Sequence, residues 1–67
     1  MKKARDLRKG DRLVWTTGIA EVHETERIQL APAFGGRVVI ETLLSIPDES
    51  RQWVRWELDH DVNMEDA

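Results

Sequence analysis

Apolar and polar residues alternate one by one over most of this chain, and a period of two predicts strands, whose successive side chains point to opposite faces. "RQWVRWEL", Arg51 to Leu58, sets Val54, Trp56 and Leu58 on one face and Trp53, Arg55 and Glu57 on the other. In "RVVIETLL", Arg37 to Leu44, the residues Val38, Ile40, Thr42 and Leu44 share a face. From Ile19 onward Ala20 and Val22 face one way and Glu21 and His23 the other, with a bend expected before the strand resumes at "RIQL", Arg27 to Leu30. "DRLVW", Asp11 to Trp15, rich in strand formers, and a short "DVNM", Asp61 to Met64, complete the set.

The breaks between these segments carry turn chemistry. "KG" precedes the Asp11 segment, and "TTG", Thr16 to Gly18, follows it with a glycine suited to the positive φ of a tight hairpin. "APAFGG", Ala31 to Gly36, combines a proline that cannot donate to a strand ladder with paired glycines, so a loop is expected there, with Phe34 capping the core or exposed. "SIPDES", Ser45 to Ser50, is the next loop. Helical spacing occurs only in "KKARDLRKG", through Ala4, Leu7 and Arg8, and Gly10 would stop it.

Length tightens this picture. The 67 residues make one domain with a small core, since a chain of that size buries only about 60% of the surface its unfolded form exposes. No cysteine is present, which excludes a disulfide framework, a thiolate zinc site and a thiol nucleophile. Arg37, Glu41, Asp48 and Glu49 interrupt the most hydrophobic region, so neither a membrane span nor a signal-peptide core is expected, and the reading is a soluble cytoplasmic protein. Five short strands joined by tight turns point to an antiparallel barrel or partly closed sandwich, because closure hides strand edges.

The opening "ARDLRKGDRLVWTTGIAEV" resembles the first hairpin of SH3-like barrels of the KOW type, above all the amino-terminal domain of bacterial translation elongation factor P. Leu7, Gly10, Asp11, Gly18 and Val22 carry the resemblance, which covers roughly the first third of the chain. It implies an all-β fold, a small five-stranded antiparallel SH3-like barrel over residues 11–64, flanked by a basic segment at 1–10 and an acidic tail at 65–67. Such barrels serve RNA, DNA, peptide and protein partners alike, so the fold does not name a function. The loop that bears the modified lysine of the elongation factor has no counterpart, because "APAFGG" contains no lysine. Small bacterial and bacteriophage proteins open in the same way, and on a phage origin the partner would be a host protein.

Charge divides the chain. Residues 1–12 carry Lys2, Lys3, Arg5, Arg8, Lys9 and Arg12 against two acids, while Asp59 to Ala67 carry four acids and no lysine or arginine; the whole chain has net charge −3. The basic head can attract phosphate, act as a solvated terminus, or attract the acidic end of the same chain. Trp15 shares a face with Leu13, and Trp56 with Val54 and Leu58, so both are expected to pack. Trp53 shares its face with Arg55, which makes it either a recognition residue or a cover over Phe34 or Ile46. His23 and His60 belong to no spaced metal motif, "DHD" at Asp59 to Asp61 reads as a polar turn, and Ser45 and Ser50 lack nucleophile or phosphate-loop patterns. No enzyme, metal or cofactor is expected. The leading function is a protein-interaction module using Trp53, Arg55, Phe34 and Ile46, with a protein partner that can be a second copy of the chain. A variant has the acids imitate nucleic acid toward a basic protein. The alternative is nucleic-acid binding through Lys2, Lys3, Arg5, Arg8 and Lys9.

Overall fold

The computed structural model describes residues 1–65, so residues 66 and 67 of the expected acidic tail lie outside the described residues. The strands are β1 (Lys2–Lys3), β2 (Arg12–Trp15), β3 (Gly18–Gln29), β4 (Val38–Ser45), β5 (Gln52–Glu57) and β6 (Asp61–Val62). All pairings are antiparallel. The all-β class is as expected, but among the described residues the architecture is six strands in two sheets rather than a closed five-stranded barrel: β2-β3-β4-β5 form one sheet and β1-β6 the other. The added strand comes from the basic head, where Lys2 pairs with Val62 and Lys3 with Asp61.

Strand lengths explain why the larger sheet stays open. The segments from Ile19 and from Arg27 are one continuous strand of 12 residues, and β2, with four, pairs only with its first part, Gly18 to Glu21. The expected bend is a register shift between Val22 and Glu24 that leaves His23 bulged. Beyond it β3 continues against β4 to the Gln29–Val38 pair, and the molecule is drawn out to 38 × 24 × 19 Å. The edge of β2 is closed by the end of the chain: the Val14 N–H donates to the Asn63 carbonyl at 2.8 Å and the Glu65 N–H to the Arg12 carbonyl at 3.0 Å.

The tight Thr16–Thr17 turn joins β2 to β3, and Gly18 adopts φ +141°, where a Cβ would also come within 3.1 Å of the Pro47 ring. The Ala31–Gly36 connection contains a 3-10 turn at Pro32–Phe34, stopped by Gly35 at φ +94°. The expected helical stretch near the amino terminus shrinks to a 3-10 turn, Ala4–Asp6.

The core lies on the inner face of the larger sheet. Leu13, Ala20, Val22, Ile40, Leu44 and Ile46 are buried there with Ala4, Leu7 and Val62, and Trp15, Val54, Trp56 and Leu58 pack partly against them. Trp15 and Trp56 meet edge to face with centroids 6.3 Å apart. Thr42, fully buried, accepts the Trp56 indole N–H at 2.8 Å, which satisfies the polar atom that tryptophan brings inside. The expected inward row of β4 holds for Ile40, Thr42 and Leu44, whereas Val38 at the strand's outer end is exposed.

Candidate functional site

The cross-strand register assembles the opposite, outer face of the sheet in rows. Glu24, Leu43 and Trp53 form one row, Glu26, Glu41 and Arg55 the next, and Ile28, Val39 and Glu57 the third. Trp53 therefore stands on a strand surface flanked by carboxylates, and it is 49% exposed. A shallow depression of about 470 Å³ beside it is lined by Lys9, His23, Glu24, Thr25 and Glu26.

A second depression, about 580 Å³, opens where the β3–β4 connection curls toward the same face, with Phe34, Arg37, Leu30 and Arg55 in its wall. Phe34 is 69% exposed, which settles its role against capping the core. Both arginines here are held in place. Arg37 forms an ion pair with Glu57 at 2.8 Å and donates to the Phe34 carbonyl at 3.1 Å, and Arg55 pairs with Glu41 at 3.3 Å. The Glu57 hydrogen bond and charge raise the Arg37 guanidinium above its ordinary value, so it is cationic at every pH of interest. Val39 is buried although it points outward, in the row that ends at the Arg37–Glu57 pair.

The structure thus brings Phe34 and Arg55 together and sets Trp53 one row away from Arg55 on β5. Ile46 does not belong with them. It is 3% exposed and part of the core cluster, because the alternation that buries Ile40, Thr42 and Leu44 runs on past the end of β4. The expectation that Ile46 is a surface contact is corrected accordingly. Glu24, Glu26 and Arg37 join the site without having been singled out in the sequence; only the β3–β4–β5 register places them beside Trp53 and Phe34.

The basic head is largely spoken for. Lys2 pairs with Asp11 at 2.9 Å, Lys3 with Asp61 at 2.7 Å and Arg5 with Asp59 at 3.1 Å. Burial pushes the Asp11 carboxyl up, but the Lys2 hydrogen bond, the Arg8 backbone N–H and the charges of Lys2 and Arg8 outweigh it and hold the group below the usual carboxylate range. The Lys3 hydrogen bond and charge likewise lower Asp61. Arg8 and Lys9 form no ion pair among the described residues. No group of three or more His, Cys, Asp or Glu suited to a metal occurs among the described residues, and no described helix is long and apolar enough to cross a membrane. No family model, curated protein or solved structure matches the chain.

Proposed function

We propose that this chain is a non-catalytic protein-interaction module whose recognition surface is the outer face of β3, β4 and β5. The observation that carries the reading is the half-exposed Trp53 in a strand row with Leu43, beside the Arg55–Glu41 pair. A tryptophan held on a rigid strand presents a large apolar surface at little entropic cost, the usual character of an interface anchor. Phe34 adds a second exposed aromatic at the far end of the same face. The SH3-like relationship belongs to this proposal: the tight hairpin through Gly18 and the sequential β2-β3-β4-β5 order support it.

The acidic environment favours a protein over nucleic acid. Glu24 and Glu26 line the depression beside Trp53, and Lys2, Lys3 and Arg5 are engaged with acids of the same chain. The test is capture from nuclease-treated lysate with wild type and Trp53→Ala as baits. A nuclease-resistant protein retained by wild type and lost by the variant, with an unchanged circular dichroism spectrum, is the expected result; equal retention by both would remove Trp53 from the interface.

A further inference from the structure

β5 is an edge strand whose far side is open along most of its length and is met by the 3-10 turn Ala4–Asp6 only at the Glu57 end. β4 covers one side of Gln52–Glu57, and on the other no backbone hydrogen bond reaches this segment among the described residues apart from the turn bond from the His60 N–H to the Glu57 carbonyl. Such an edge is a template for another strand, and proteins that keep it free guard it with lysine, proline, a bulge or a cover. β5 has no lysine or proline, its two charges, Arg55 and Glu57, lie on the outer face in ion pairs with Glu41 and Arg37 of the same chain, and its pairing with β4 runs from Val39–Glu57 to Leu44–Gln52 without a register shift.

The segment "RQWVRWE", Arg51 to Glu57, is complementary to itself when read in reverse. Set antiparallel to a second copy with Val54 opposite Val54, the outer-face residues meet as Arg51 with Glu57 and Trp53 with Arg55, each pair twice by symmetry. The first is an ion pair in which Glu57 is shared with Arg37 of its own chain, and the second sets Arg55, which keeps Glu41 as its partner, against the edge of an indole face. The inner face then brings Gln52 opposite Trp56. Neighbouring registers that keep the two faces continuous fail on charge, because they set Arg55 opposite its own copy or opposite Arg51. A further slip toward Leu58 leaves only three residues to pair, since the Leu58 carbonyl already accepts the Arg5 N–H at 3.1 Å.

The other unpaired edge, Glu24–Gln29 of β3, lacks this property. Every face-continuous register that pairs four or more of its residues sets a glutamate opposite a glutamate or Arg27 opposite itself. We infer that the partner met by the Trp53 strand is a second copy of the chain, joined edge to edge through antiparallel β5–β5 pairing centred on Val54 into one continuous eight-stranded sheet whose outer faces lie side by side. The inference rests on the interaction reading above and names its partner.

The test uses two charge reversals and their mixture, with the full chain followed by sedimentation equilibrium over a concentration series. Wild type is expected to reach twice its 7.8 kDa mass. Arg51→Glu places glutamates opposite Glu57, and Glu57→Arg places arginines opposite Arg51, so each variant alone is expected to dimerise about tenfold more weakly or worse. Mixed in equal amounts they recreate both opposite-charge pairs, and the dimer should return. Any loss of the Arg37–Glu57 pair within a chain is the same alone and mixed, so recovery reports only the contact between chains. Dimers that survive both reversals, or a mixture that stays monomeric, would overturn the register. A wild type that stays monomeric yet captures a different protein through Trp53 would overturn the second copy and keep the interaction reading. One that neither self-associates nor captures anything would overturn both.

Discussion

Thr42 shows how much a single side chain decides in so small a core. Its hydroxyl is fully buried and accepts the Trp56 indole N–H at 2.8 Å. Thr42→Val keeps the shape and leaves that N–H without its partner, so urea unfolding should show a loss of about 1–3 kcal/mol. Ile46→Ala is expected to cost about 2–5 kcal/mol by opening a cavity, while the folded fraction keeps full partner capture, because the side chain lies in the core and not on the interaction face. Trp53 and Ile46 also mark the limit of what is legible from the sequence at this scale. Trp53 alternates with Val54 and Trp56 inside a strand, so its outward face is readable from parity. Ile46 follows a strand end beside Pro47, where a loop reading hides the fact that the parity of β4 continues.

At the scale of elements, the β2–β3 hairpin is the part that sequence describes best, because a tight turn imposes its needs on particular residues. Gly18→Ala puts a Cβ at φ +141° and 3.1 Å from the Pro47 ring, with the β4–β5 loop held nearby by the Thr17 hydroxyl donating to the Pro47 carbonyl. A stability loss above about 1 kcal/mol is expected, read as a lower thermal midpoint. The position of the irregularity in β3 is less visible. Periodicity predicts one strand with a bend before Arg27, whereas the backbone runs on from Gly18 to Gln29 and the register shift falls earlier, at His23. β1 is hidden for another reason: two lysines have no strand signature, and pairing with Asp61 and Val62 supplies what local propensity does not.

For the molecule as a whole, two ion pairs of the amino-terminal head, one to Asp11 and one to Asp61, predict a dependence on pH. Asp11 and Asp61 have carboxyl groups below their ordinary range when folded. Their contribution is therefore fully present above the unfolded carboxylate value of about 4 and is lost as pH falls through the lower folded values. The urea midpoint should hold between about pH 7 and 5 and fall below about pH 4. Asp11→Asn, which keeps an acceptor for the Arg8 N–H but removes the charge beside Lys2, should lower the neutral-pH midpoint and flatten the acid decline. Salt should weaken the exposed Lys3–Asp61 and Arg5–Asp59 pairs only modestly, since each is worth little in water. The all-β class, the turns around Gly18 and Gly35, and the inward positions of Leu13, Ala20, Val22, Ile40, Thr42, Leu44, Val54 and Trp56 follow from the sequence by itself, because a period of two and the special conformations of glycine and proline are local properties. The open architecture, the capture of the basic head by Asp11, Asp59 and Asp61, and the rows that set Glu24 and Glu26 beside Trp53 come only with the tertiary structure. They depend on register and strand length, which are fixed between distant segments and leave no mark on either one alone.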